Sequence, residues 1–247
     1  MIIESFKFGV KNIFRKDFLL LSALLSLPIF IFYLFQLYFA IQSELILSFA
    51  LDIALFLYSP IPLIIFIFIV SEQLKRKSKK GKFDVSKILN TLKSNYLKIL
   101  AIFIIIGLLS TILFLPTIVT GFLLSATETN LAIWLLIFLV NLILAIYIGL
   151  RLVLASYIAV IDKKGIIDSL KFAWKVSKGE VLKIFLIAFI FQLLLLILFF
   201  IPIFMAYFFL DSFVIILIGL YLFHILNLIY YPSAYTYFYL KALRKKK

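Results

Sequence analysis

The 247 residues are 66% hydrophobic and 15% charged, with a strongly positive mean hydropathy. Soluble domains carry about a quarter charged residues, so this composition excludes an ordinary soluble chain and makes lipid the default surroundings. The net charge of +14 sits in residues beside apolar runs, which fits anionic lipid headgroups and not nucleic acid. Cysteine is absent and there is one histidine, which rules out disulfides, thiolate metal sites and imidazole clusters; no cofactor is expected.

The chain opens on an amphipathic segment in which Ile2, Ile3, Phe6, Val10 and Ile13 oppose Glu4, Lys7, Lys11 and Arg15 at helical spacing. The apolar stretch Phe18 to Ala40 follows. At 23 residues it is longer than the h-region of a secretory signal, and no small-x-small cleavage site comes after it, so it reads as a retained span. A spanning helix needs about 20 mostly apolar residues, because roughly 30 Å of hydrocarbon is crossed at about 1.5 Å per residue. Six stretches qualify: Phe18 to Ala40, Leu45 to Val70, Ile99 to Ala126, Leu131 to Ile161, Ile184 to Leu210 and Ser212 to Leu240. The expected fold is an all-α integral membrane bundle of six transmembrane helices in a single polytopic domain. Pro28, Pro60, Pro62, Pro116 and Pro202 fall inside these stretches and are expected to bend them.

Lysine and arginine mark one side. The connections after spans one, three and five hold Gln42 and Glu44, then Thr127, Glu128 and Asn130, then Asp211, with no basic residue. The other side holds Lys7, Lys11, Arg15 and Lys16, the run Lys75 to Lys82, Lys163 to Lys183, and Arg244 to Lys247. The positive-inside rule then puts both termini in the cytoplasm and the chain in the cell membrane.

Each odd-numbered span follows a segment with one apolar face. After the first come Val85 to Leu92, and then Ile167, Leu170 and Trp174 opposing Lys171, Lys175 and Lys178. Such segments are expected to lie in the interface with lysines toward phosphates and Trp174 in the acyl boundary. Leu97-Lys98-Ile99-Leu100 recurs as Leu182-Lys183-Ile184-Phe185, 85 residues on, and Pro116 recurs as Pro202. Glu4-Ser5-Phe6-Lys7-Phe8 also resembles Asp168-Ser169-Leu170-Lys171-Phe172. The reading is three units of interface helix plus hairpin, about 1–80, 81–163 and 164–247; the alternative is that hairpins rich in Leu, Ile and Phe look alike.

The stretch Arg151 to Phe185 resembles a widespread group of prokaryotic membrane proteins of unknown function, which includes the membrane portion fused to some glycerophosphodiester phosphodiesterases. Arg151, Asp162, Gly165, Leu170, Trp174 and Gly179 fit its pattern, while Ser169 and Ala173 stand where alanine and serine are usual. The resemblance implies a membrane domain and little chemistry. The phosphodiesterase activity of those fusions belongs to a separate soluble barrel and does not carry over.

No phosphate-cradling loop, acidic metal cluster or nucleophile elbow is present, and a serine-histidine-aspartate site would have to recruit His224. His224 lies about 18 Å from the outer end of span six and Asp52 about 10 Å from that of span two, so the depths do not match. The chain is therefore expected not to be an enzyme, with His224 bonded to a neighbouring helix. Tyr221, His224, Leu228, Tyr231 and Tyr235 share one face as a packing seam. Ala145 with Gly149, and Gly107 with Thr111, put small residues one turn apart, which permits close helix contact. Asp52 serves either an ion path or a hydrogen bond near the outer interface.

An arginine inside a span costs about 2.5–3.5 kcal/mol at the bilayer centre, so Arg151 needs partners. Counted from the cytoplasmic ends, Arg151 lies about 15 Å in, Gln192 about 14 Å and Asn227 about 20 Å. Together with His224 they form the candidate ligand site, with the guanidinium suited to a phosphate or carboxylate; the competing account is an arginine that snorkels to inner-leaflet phosphates. Lys171, Trp174, Lys175 and Lys178 form the candidate headgroup interface, and membrane lipids are the expected partners. Two function classes follow: a transporter or permease-like protein for a small or lipidic substrate, and a non-transporting scaffold or lipid-interacting subunit of a larger complex.

Overall fold

The computed structural model describes residues 1–41, 45–76, 84–126, 131–210 and 213–243. Gln42, Glu44, Thr127, Glu128, Asn130 and Asp211 of the three uncharged or acidic connections lie outside them, as do most of the run from Lys75 to Lys82 and Arg244 to Lys247. Among the described residues there is no strand. The helices are α1 (Ile2–Ile13), α2 (Lys16–Ile41), α3 (Leu45–Tyr58), α4 (Pro60–Arg76), α5 (Val85–Ala126), α6 (Leu131–Leu152), α7 (Ala155–Ile161), α8 (Ile166–Val176), α9 (Val181–Leu195), α10 (Ile201–Leu210) and α11 (Phe213–Phe238). π-helical turns at Leu196–Phe200 and Tyr239–Leu243 continue α9 and α11. Among the described residues six helical stretches are long and apolar enough to cross a membrane, and the chain is a multi-pass helical membrane protein.

Spans two, four and five are each built from more than one helical piece, and two of the three interruptions have a proline cause. Pro60 has no N–H to give Phe56, so α3 ends at Tyr58, the Ser59 hydroxyl takes the Phe56 carbonyl at 2.8 Å, and α4 starts with proline at its first position. Pro202 likewise frees a carbonyl in the turn before it, where the ladder widens to the π-turn Leu196–Phe200. Pro28, Pro116 and also Pro232 lie within unbroken α2, α5 and α11. The break at Val153–Leu154, between α6 and α7, has no proline or glycine.

The segment Val85 to Leu92 is not a separate helix. It forms the first turns of α5, a single helix of 42 residues, because nothing between Leu92 and Ile99 breaks the ladder. Asp84 starts it, accepting the Lys87 N–H at 3.3 Å, and that bond with the Lys87 ammonium holds its carboxyl below the usual range.

Packing divides the chain into two compact units, residues 1–96 with 183–247, and residues 97–182. In the first, α11 packs against α1, α2 and α4. Its core stacks Phe191 on Tyr230 at 3.6 Å and sets Phe18 against Phe66 at 5.6 Å. The tyrosines of α11 tie it to α9: Tyr230 donates to the Ile187 carbonyl at 2.7 Å and Tyr235 to that of Ile184 at 3.2 Å. α1 docks through Ser5, Gly9, Asn12 and Ile13, while Ile3 of its apolar ridge stays 67% exposed. Gly9 is required there, since a Cβ would lie 2.7 Å from the Tyr230 ring.

In the second unit, Asn141 of α6 donates to the Thr117 hydroxyl of α5 at 2.7 Å, and the Trp134 indole N–H donates to the Thr117 carbonyl at 3.2 Å. α8 packs on α7 and α6 through Ser169, Ala173 and Val176. Gly165 in extended backbone starts α8, and Gly179 at φ +78° makes the left-handed turn after it. A Cβ on Gly107 or Gly149 would meet nothing within 4 Å, so the described residues do not use these glycines for close contact.

Candidate functional site

In the first unit α2, α3 and α11 line a half-open cavity of about 510 Å³. Its walls are apolar, formed by Ile29, Phe30, Ile216, Leu217 and Leu220. Polar groups enter at two levels. Ser26 and His224 lie toward the middle of α2 and α11, and Gln36 and Ser48 lie nearer the α2–α3 connection. Tyr221 is already engaged: its hydroxyl donates to the Ala23 carbonyl at 2.8 Å and its ring stands 4.8 Å from Phe30. Gln36 donates to Asp52 at 2.7 Å, so Asp52 is hydrogen-bonded. Ser26 is fully buried, and its Oγ has no partner among the described residues. The same holds for the buried Nε2 of His224, which was expected to bond to a neighbouring helix.

Gln192 and Asn227 are brought together in this unit. The Gln192 amide donates to the Asn227 side-chain oxygen at 2.9 Å and to the Tyr231 hydroxyl, and Asn227 donates to the Phe223 carbonyl at 2.8 Å. This cluster closes on itself between α9 and α11 and cross-links two apolar helices.

Arg151 belongs to the second unit and is only 6% exposed. Its Nε donates to the Ser177 hydroxyl at 3.0 Å, Nη1 to the Tyr147 hydroxyl at 2.8 Å and Nη2 to the Trp174 carbonyl. The guanidinium also lies 4.0 Å from the centre of the Trp174 ring. Ser177 donates in return to the Arg151 carbonyl at 3.2 Å, where the α6–α7 break leaves that carbonyl open. The charge is thus spread over dipoles and a ring, and its chemistry is that of a bolt between α6 and the end of α8.

Lys171, Trp174 and Lys175 of α8 are exposed, as is Lys178 in the turn that follows. Ile167, 63% exposed, and Trp174, 42% exposed, set apolar surface next to these lysines. Lys164, Asp168, Lys171 and Lys175 border a shallow groove of about 300 Å³, with the Lys164 ammonium 3.7 Å from the Phe172 ring centre. The acidic Asp168 in that groove dilutes its preference for anions.

Sequence reasoning missed the cavity residues Ser26, Tyr33, Gln36 and Ser48, and the Arg151 partners Tyr147 and Ser177. The first group left a signal: Ser22, Ser26, Tyr33 and Gln36 recur at spacings of four, seven and three in an apolar span, one face of α2. Compared with family models, characterised proteins and solved structures, the chain finds no match.

Proposed function

We propose that this chain is a permease-like membrane protein that admits a small lipidic substrate from the bilayer into the cavity of α2, α3 and α11, and that it is not an enzyme. The observation that supports this reading is a cavity of about 510 Å³, within the size range of small-molecule sites, with apolar walls and the polar side chains Ser26, Gln36, Ser48 and His224 among its described lining residues. In this reading it lies in the cell membrane with both termini cytoplasmic, which the one-sided distribution of Lys and Arg supports. The lysines of α8, with Trp174, then meet anionic headgroups, the partners we assign, and nucleic acid is not among them. The three-unit organisation draws on the matching Ser5 and Ser169 faces of α1 and α8, and the kinship with the prokaryotic membrane family draws on Arg151, Asp162, Gly165, Leu170, Trp174 and Gly179 of the sequence.

A second reading has its own observation. The lining stops at Ser26 and His224, and Ser22, Ile225 and Ile229 beyond them are buried, which suits a lipid-holding scaffold or subunit that does not transport. Proteoliposomes separate the two. Fluorescent single-chain lipids with glycerol, phosphate and trimethylammonium heads are scored for transbilayer movement by external quenching. A permease accelerates at least one of them, and Leu217→Trp, which fills the cavity, abolishes the gain. No acceleration of any of the three leaves the scaffold.

Orientation has a direct test, because the chain has no native cysteine. Single cysteines at Gln42, Thr129 and Asp211 are expected to react with an impermeant reagent outside sealed cells, and one at Ser78 to be protected. Labelling of Ser78 overturns the assignment.

A further inference from the structure

Asp52 is the one acidic residue inside the six apolar stretches, and it lies about 10 Å along α3 from Leu45. Its bond from Gln36, at 2.7 Å, does not call for a charge, since asparagine at this position would accept from the same amide. The carboxylate is exposed, and among the described residues no basic group pairs with it. Neighbouring sequence has none to offer. No lysine or arginine occurs between Lys16 and Lys75 or between Lys183 and Lys241, the stretches that supply α3, α11 and all of α2 past its first residue. A carboxylate kept in a span is costly, and without a counter-charge in the chain it marks a place where the cation comes from outside.

The surroundings of Asp52 say what kind of cation. Gln36, which holds one carboxylate oxygen, and Ser48, one turn before Asp52 on α3, both line the cavity of α2, α3 and α11, so the carboxylate borders that end of it. Tyr33, one turn before Gln36 on α2, lines the same end and is 53% exposed. Farther in, Ile29, Phe30, Leu217 and Leu220 offer only apolar contact, over the roughly 15 Å of helical rise from Gln36 to Ser26. A metal ion needs several oxygen ligands and gains nothing from such walls. An alkylammonium finds an opposite charge, an aromatic ring and an apolar bed in one place. We infer that the ligand of this cavity is a cationic amphiphile, an alkylammonium with its head at the end marked by Asp52 and Tyr33 and its chain along the apolar walls. The inference rests on the reading of the cavity as a ligand site.

The test uses the full chain in nanodiscs of digalactosyldiacylglycerol, whose heads carry no charge, and dodecanol with a mid-chain diazirine as a probe that does not depend on Asp52. After irradiation, labelling is expected on residues 29–36, 48–52 and 216–224. Competitors are dodecyltrimethylammonium, dodecanol and dodecyl sulfonate, each titrated as a membrane mole fraction. The ammonium should suppress labelling at about tenfold lower mole fraction than dodecanol, more than a fully hydrated ion pair gives, and sulfonate should compete least. Asp52→Asn keeps the acceptor for Gln36 and removes the charge. In it the ammonium advantage should vanish while dodecanol competes as before. Equal competition by ammonium and dodecanol in the wild type overturns the cationic class and leaves the cavity a ligand site, and so does an ammonium advantage that survives Asp52→Asn. Loss of dodecanol competition in the variant also overturns the inference, because Asp52 would then be shaping the cavity and not reading a charge. Failure to label any of the three stretches refutes the inference together with the ligand-site reading.

Discussion

The short amphipathic helices α1 and α8 present the same motif to two different supports. Each buries a serine and a small residue one turn on, Ser5 with Gly9 and Ser169 with Ala173, and each leaves a large apolar residue, Ile3 or Ile167, exposed. The contact side is therefore the small-residue side, where backbones approach closely, and the exposed apolar side is left for lipid. The means of fastening differ. α1 is held by shape: Gly9 receives the Tyr230 ring, and Phe8 stacks on Tyr237 at 4.9 Å. α8 is held by a charge, because Arg151 reaches its last turn at Ser177 and Trp174. The buried Ser5 and Ser169 hydroxyls are alike in having no partner among the described residues, whereas Arg151 has a partner at each nitrogen, so the polar fastening of α8 comes from the arginine and not from its serine.

The largest effect in this comparison is expected from breaking the charged bolt. Arg151→Lys keeps the charge but cannot span Ser177, Tyr147 and the Trp174 carbonyl at once. Losing two charge-assisted hydrogen bonds is worth about 3 kcal/mol, so amide exchange in α8 should quicken roughly a hundredfold while exchange in α1 stays unchanged. Arg151→Met should free α8 similarly with a smaller loss of overall stability, because the cost of holding an ion in a span, about 2.5–3.5 kcal/mol at most, disappears with the charge. If α8 exchanges at the wild-type rate in both variants, small-residue packing alone holds it.

How much of this was readable in advance depends on whether the cause is local. Span positions were legible because hydrophobic length is a property of contiguous residues, and Pro60 marked a break for the same reason. The break at Val153–Leu154 carries no such mark; it coincides with the Ser177 hydroxyl reaching the Arg151 carbonyl from 26 residues away. The sequence demanded partners for Arg151 but could not choose them, since a hydroxyl and a backbone carbonyl are common along the chain. Depth along the helical rise sets Gln192 within reach of Asn227, and only the tertiary structure adds the Tyr231 hydroxyl. The cavity was hidden for another reason: it is a space left between α2 and α11, and composition describes only what fills space. The apolar ridge of α1 was legible as an interface face, and the exposed Ile3 is compatible with that; what the pattern did not mark is that Ser5 and Gly9 form the side that packs.

A smaller effect, with opposite volume changes on the two helices, sharpens the comparison. Gly9→Ala on α1 should gain up to about 1 kcal/mol from helix propensity, as any helical glycine replacement does. Against this, the new methyl would sit 2.7 Å from the Tyr230 ring, and retreat of that ring is opposed by Phe191, which stacks on it at 3.6 Å. Overpacking costs about 1–3 kcal/mol, so the net change should be a loss of about 1 kcal/mol in the attachment of α1, seen as roughly fivefold faster exchange over residues 2–13. Ala173→Gly on α8 loses propensity and one methyl of packing, also about 1 kcal/mol, but removes volume instead of adding it. The two losses are therefore separable by a second change. Shrinking the opposing ring with Tyr230→Leu should relieve the clash in Gly9→Ala, so that the double variant is more stable than the sum of the two single losses. No such relief exists for Ala173→Gly, which removes a buried methyl and creates no clash to relieve. Strict additivity at Gly9 and Tyr230 would mean that the close approach is not what fastens α1.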